Sequence, residues 1–307
     1  MSQLNYPHIA QMAFNTPLLA SSQLVEMVTQ YLYPRITGRT GEQSNLTAKG
    51  VGEVQLGNPE VDGSMAIISV HGILIPRRGT LTNACEEIMS FELLRNQIAA
   101  CMANEQIKEI VLDINSGGGT AQAAFECAEY IYQAQKTKPI RAVINYNAYS
   151  AAYLIAAACT EIQLSSTAGV GSIGVYQKRL DLTAHYEQEG ISIHTFFRGS
   201  KKVLFHPDIK MTEEEMQHTE TEIEETYQQF VSAVAKYRGL TNAEVEATEA
   251  DTFQGAKAIK LKLADTLTTD PQMAINNIAK RLIQKTPEKK MNSVALQSAA
   301  LKHQFQH

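Results

Sequence analysis

Residues 139–159 constrain the fold more than any other stretch. Ile140, Val143 and Ile144 lie in a β-rich run that feeds Asn147-Ala148-Tyr149-Ser150, and Ala151-Ala152-Tyr153-Leu154-Ile155-Ala156-Ala157-Ala158-Cys159 leaves it. This pattern predicts a strand that passes directly into a helix, with Ser150 at the junction. At such a junction the first helical amides have no intrahelical partner and the dipole is positive, which suits a developing oxyanion. Serine there is ordinarily an N-cap. Reading Ser150 as a nucleophile therefore depends on the rest of the chain.

Two glycine-rich turns and a lysine pair supply that context. Ile110-Val111-Leu112-Asp113-Ile114 reads as a buried strand running into Asn115-Ser116-Gly117-Gly118-Gly119, with helical character over residues 121–135. Consecutive glycines let backbone amides approach a ligand closely. The spacing fits neither a P-loop nor the dinucleotide fingerprint, so an ordinary tight turn is the competing reading. Beyond Ser150, residues 162–165 read as a strand and Ala168-Gly169-Val170-Gly171-Ser172-Ile173-Gly174-Val175 as a closely packed one. A short helix over 182–189 and a strand over 191–197 are expected before Arg198-Gly199-Ser200-Lys201-Lys202. Lysines are usually solvated. A lysine held among Phe196, Phe197, Leu204 and Phe205, beside a like charge, would lose its proton more readily, as a catalytic amine base must.

The remaining pattern is structural. Residues 1–62 read as an N-terminal arm and linker with one helix over 21–33, residues 63–268 as the core, and residues 269–307 as a mobile tail. The core is expected to open with a strand at Met65-Ala66-Ile67-Ile68-Ser69-Val70, bent at Gly72, and a helix over 81–102. Thr212-Glu213-Glu214-Glu215 reads as a capping box for a helix with Ile223, Tyr227, Phe230, Val231 and Val234 on one stripe, ending at Gly239. A second capped helix opens at Thr241, and a last one covers 256–263.

Charge and cysteine usage exclude several classes. A net charge of −5 over 307 residues, with no basic block before the tail, leaves no footprint for nucleic acid. The four cysteines, Cys85, Cys101, Cys127 and Cys159, are widely spaced and read as buried small hydrophobes in a reducing compartment. No export signal is visible near the start, and the apolar run 151–159 is half the ~18 residues a bilayer span needs. A cytoplasmic chain without a membrane partner is expected.

With Gly117 to Gly119, Ser150, the Val170-Gly171-Ser172-Ile173-Gly174-Val175 run and Gly199 to Lys202 in view, the chain resembles the signal peptide peptidase A (SppA) family of Ser-Lys proteases. The similarity covers roughly residues 64–268 and extends to Phe253-Gln254-Gly255-Ala256 and Leu263-Ala264-Asp265. The opening Tyr6-Pro7-His8-Ile9-Ala10, with Phe14-Asn15-Thr16-Pro17-Leu18, further resembles the phage and prophage branch that matures the phage head. The resemblance implies an α/β, crotonase/Clp-like fold of repeated ββα units, and no cofactor or metal. It implies Ser150 as nucleophile, Lys202 as general base and Ser172 as the hydroxyl that orients the lysine. The amides of Gly118 and Ala151 would form the oxyanion hole. Partners would be copies of this chain in a ring and, as substrates, phage scaffold or portal proteins, inside the procapsid of the host cell. The chain departs from the family at Gly117, where proline is usual, and at Lys262, where glycine is usual.

Three rivals stand beside this reading. A Ser-His-Asp triad could draw on His185, His194 or His206, none of which has a site-like context. A crotonase-type acyl-CoA enzyme would share the fold but needs pocket carboxylates that neither glycine turn offers. In a catalytically inactive capsid or scaffold-binding protein, Ser150 would be only a cap.

Overall fold

The computed structural model describes residues 14–36, 59–77 and 89–285. β1 (Leu18–Ala20) leads into α1 (Ser22–Ile36), and β2 (Glu60–Asp62) and β3 (Met65–His71) come after it. The centre of the chain contains α2 (Phe91–Ala103), β4 (Glu109–Ser116), β5 (Gly118–Thr120), α3 (Ala124–Ala134), β6 (Ile140–Tyr149) and α4 (Ala151–Ala157). Next come β7 (Glu161–Leu164), β8 (Gly169–Gly171), α5 (Thr183–Gln188), α6 (Glu213–Arg238) and α7 (Asn242–Glu246). β9 (Thr252–Gln254), α8 (Gly255–Lys260), β10 (Thr266–Leu267) and α9 (Pro271–Lys285) complete the described chain.

The architecture is α/β. One sheet runs β10-β7-β6-β4-β3-β2, parallel except for the hairpin partner β2. Parallel neighbours require crossovers, which helices supply on one face, and α9 covers the other. Ile110, Leu112 and Ile114 of β4 pack in the main core with residues of α2, α3 and α4. On the other face Val111, Val143 and Met65 meet Ala274, Ile275 and Ile278 of α9. Burial on both faces explains why these strands read as continuous apolar runs rather than alternating ones.

β6 carries the feature that matters for function. Its first half pairs with β7 and its second half, Asn147 to Tyr149, pairs with β8. The register against β4 shifts between Ile114 and Ser116, and Tyr146 takes φ 81°. Such a bulge bends a strand and re-aims the residues beyond it. Here it turns the end of β6, and with it Ser150, toward β5 and β8.

Several expectations need correction. The mobile tail expected from residue 269 is replaced, up to Lys285, by α9. Asp270 accepts from the Met273 amide at 2.9 Å, Pro271 is the first helical residue, and the apolar spacing of Ala274, Ile275 and Ile278 gives the helix a face to bury. Residues 286–307 lie outside the described residues, as do 1–13, the linker stretch 37–58, Cys85 and the first part of the helix expected over 81–102. That helix begins at Phe91, after Ser90 caps it by accepting from the Leu93 amide. The N-terminal arm is also part of the fold: Leu18, Leu19, Val25 and Leu32 are buried, and β1 pairs antiparallel with β5.

No strand forms over 191–197. The alternating Ile191 and Ile193 find no strand to pair with among the described residues, and Phe196 is 92% exposed. The strand expected over 168–175 stops at Gly171 because Ser172 turns the backbone with φ 55°. The Thr212 box is half made. Thr212 accepts from the Glu215 amide, but the buried Glu215 carboxylate turns to Arg179 instead of reaching back.

Lys262 gains a physical reading. It sits just past α8 with φ 58°, the left-handed position that ends a helix and favours glycine. Lys262→Gly should therefore raise stability by about 1 kcal/mol, visible as a small increase in the thermal midpoint.

Candidate active site

Ser150 stands between β6 and α4 with φ 55° and ψ −117°, a conformation that non-glycine residues avoid. It occupies the N-cap position, yet its side chain caps nothing. The residue is fully buried, and Oγ has no hydrogen-bond partner among the described residues. An ordinary buried hydroxyl is bonded, and leaving one unbonded costs about 1–3 kcal/mol. Backbone strain and an orphan hydroxyl on one residue point to chemistry rather than to capping.

The neighbours are brought in by backbone. The Ser150 amide donates to the Gly171 carbonyl at 2.9 Å, so Ser172 comes directly after a residue bonded to the serine. Ser172 is fixed in turn by its amide donating to Asp251 O at 2.9 Å. Gly171, at φ 110°, leaves no room for a side chain, since a Cβ would stand 2.6 Å from that same Asp251 oxygen. The Tyr149 hydroxyl fills the space beside Gly169, where a Cβ would come within 2.2 Å of it. Burial pushes the Tyr149 phenol above its usual range, so this group stays neutral. Below the serine, Tyr153 is fully buried and donates to Leu263 O at 3.0 Å, tying α4 to the end of the core. Asp265 closes that end by accepting from the Ile162 amide at 2.7 Å and pairing with Arg238.

Gly118 lies against the serine turn. A Cβ there would be 3.0 Å from Tyr149 O, 3.1 Å from the Ala151 nitrogen and 2.2 Å from Leu19 O, and φ is 100°. Gly118 and Ala151 are thus adjacent, as an amide pair must be. The Gly118 N–H, however, donates to Ser116 Oγ at 3.1 Å, and Ser116 donates on to Gly72 O at 2.6 Å. One half of the pair is turned aside. The departure at Gly117 has a local cause: a Cβ there would already sit 3.1 Å from Ser21 Oγ and 3.3 Å from a Leu24 methyl. In this chain α1 packs where a proline ring would press. Gly118→Ala should cost about 3 kcal/mol or more, because strain and overlap with Leu19 O combine, and should lower both the thermal midpoint and any peptidase activity.

Lys202 is not brought to the serine within one chain. It is exposed on the 3-10 turn Ser200–Val203 that comes after Gly199, and Ser150 Oγ has no bond to it. The aromatic setting expected around it does not form either, because Phe196 and Phe197 are exposed. The loop beyond it is nonetheless held. Arg179, paired with Glu215, donates to the carbonyls of His206 and Ile209. His206 pairs with Asp208, and His185 and His194 make no bond to Ser150. Cys101, Cys127 and Cys159 are buried free thiols, and burial pushes Cys127 up to about 12. No helix among the described residues is long and apolar enough to cross a membrane. Sequence reasoning missed the Asp251 carbonyl and the strand Leu18–Ala20, since backbone partners leave no residue-type signal.

Residues 132–284 match the model of Peptidase family S49. Among curated proteins the chain is 30% identical over 282 residues to the head-tail preconnector protein GP5 of Enterobacteria phage P21, covering 86% of this chain and 55% of that protein. It is 28% identical over 282 residues to the capsid assembly protease C of Escherichia phage lambda, covering 86% of this chain and 63% of that protein. It is also 28% identical over 192 residues to the chloroplastic serine protease SPPA of Arabidopsis thaliana, covering 62% of this chain and 28% of that protein. The chain thus spans 55% and 63% of the two phage relatives' own length. Among solved structures, a point mutant of ClpP1 from Listeria monocytogenes aligns with a TM-score of 0.41 at 12% identity, over 67% of this chain and 92% of that one.

Proposed function

We propose that this chain is a serine endopeptidase that uses Ser150 and Lys202 as a dyad and acts on proteins of phage head assembly. The observation that carries this reading is Ser150 itself: a strained backbone and an unbonded hydroxyl, beside the amide of Ala151 and against Gly118. In the proposed cycle the neutral Lys202 amine takes the Ser150 proton as Oγ attacks the substrate carbonyl. The amides of Ala151 and Gly118 stabilise the oxyanion, Gly118 turning its N–H away from Ser116. Collapse of the tetrahedral intermediate breaks the peptide C–N bond, and the ammonium returns the proton to the leaving amine. Water, deprotonated by the same lysine, then hydrolyses the acyl-serine. Ser172 holds the amine in line.

The exposure of Lys202 in a single chain supports a site completed by a neighbouring copy. A ring would bring the lysine turn of one protomer to the serine of the next and would cover the exposed Phe196 and Phe197. The likeness to a capsid assembly protease supports capsid-assembly proteins as substrates, and scaffold or portal proteins, cleaved in the procapsid of the host cell, are the ones proposed. The test is N-terminal sequencing of products after incubation with neighbouring capsid-assembly proteins. New termini that depend on Ser150 are expected. Intact partner proteins, beside a chain that still cleaves model peptides, would overturn the assignment of substrate.

A further inference from the structure

The strand Leu18–Ala20 lies where a substrate peptide has to go. This inference rests on the proposed function and concerns the regulation of that same site. A peptide cut at Ser150 must set its carbonyl beside Ala151 and Gly118, and its chain must then run along β5. One edge of β5 is already used by Leu74, which donates to Gly118 O and accepts from the Thr120 amide, both at 3.0 Å. The other edge is open to an added strand, the ordinary way an extended peptide is read by backbone.

In this chain that edge is filled from within. Leu18, Leu19 and Ala20 stand opposite Thr120, Gly119 and Gly118 in antiparallel register. The far edge of β1 is paired as well: the Leu18 amide donates to Tyr176 O at 2.8 Å, and the Tyr176 amide to Leu18 O at 2.9 Å. Leu19 O and the Ala151 nitrogen both lie within about 3 Å of the point where a Gly118 Cβ would be, so the strand's carbonyl packs against Gly118 beside the serine turn. Ser150 is fully buried, and the Gly118 amide is bonded to Ser116. The segment also reaches the lysine side. Asn15 donates from its backbone to Lys178 O at 2.8 Å and from its side chain to Phe205 O at 3.2 Å, three residues beyond Lys202.

The strand is no substrate in this position, because the Ser21 amide donates to Gly117 O and the chain then turns into α1 at Ser22. We infer that residues 15–21 act as an intramolecular competitor that substrate must displace from the β5 edge. The occupant shows what replaces it: an extended peptide with a small residue opposite Gly118, as Ala20 is, and a leucine opposite Thr120, as Leu18 is.

Two measurements on the full chain test this. Wild-type protein is labelled with a Leu-Leu-Ala phosphonate, and amide hydrogen exchange is compared before and after. Exchange across residues 16–21 should rise at least about tenfold once the inhibitor holds the edge. Unchanged protection with Ser150 fully labelled would overturn the inference. The second measurement uses the Leu18→Cys/Tyr176→Cys pair, whose mutual backbone bonding sets the Cα atoms about 5.5 Å apart, within disulfide range. Oxidation should reduce hydrolysis of a Leu-Leu-Ala anilide at least about twentyfold and reduction should restore it, while wild type ignores the oxidant. Equal activity of both forms overturns the inference and leaves the proposed function standing. A wild-type chain that neither labels nor hydrolyses overturns both.

Discussion

Ser150→Ala is expected to reduce peptide hydrolysis by at least about 10⁴-fold while leaving the fold as stable as before or slightly more so. Removal of a serine nucleophile leaves only the contribution of binding and oxyanion donors, which accounts for the size of the loss. The stability expectation comes from the geometry. Because the hydroxyl caps nothing and bonds nothing, the substitution removes an unsatisfied buried group rather than an N-cap worth about 0.5–2 kcal/mol. Turnover and thermal unfolding on the same preparation check both halves. Wild-type turnover in the variant would remove Ser150 from the mechanism, and a large fall in the midpoint would return it to a structural role.

The second large effect separates the two lysines and locates the dyad. Lys202→Met should abolish activity, and Lys202→Arg should not rescue it, since a guanidinium stays protonated and cannot accept the serine proton. Lys201→Met should be mild. No histidine substitution should abolish activity. If the site is shared, Ser150→Ala and Lys202→Met chains, each inactive alone, should complement when assembled together. At equal mixing about a quarter of junctions in a ring pair an intact serine with an intact lysine. Activity near that fraction is expected. No recovery in assemblies shown to be mixed would put both residues in one protomer.

Much of this was legible in the residues. The strand entering Ser150 and the Ala-rich helix leaving it are fixed by local chemistry, because a helix of small residues, buried along its whole length, can lie close to a sheet. The glycine turns were legible for a similar reason, with Gly118 and Gly171 at positive φ and backbone oxygens where side chains would be. The illegible parts depend on long-range pairing. Leu18 to Ala20 looked like part of an arm because three residues carry no strand signal until β5 offers an edge. Conversely, residues 191–197 alternate like a strand but find no partner among the described residues. The helix α9 was signalled by Asp270, Pro271 and the spacing of its apolar residues, yet its basic residues, Lys280 among them, suggested a solvated tail. Lys202 marks the limit, because among the described residues it stands exposed and makes no bond to Ser150.

Everything proposed for this chain requires Ser150 to be a reactive nucleophile, and covalent labelling tests that most directly. Wild-type protein treated with a serine-directed phosphonate should gain a single adduct by intact mass, which peptide mapping should locate at Ser150. The adduct should be absent from Ser150→Ala and slow to form in Lys202→Met. No adduct on an assembled wild-type protein, or one on another serine with Ser150 unmodified, would contradict that role.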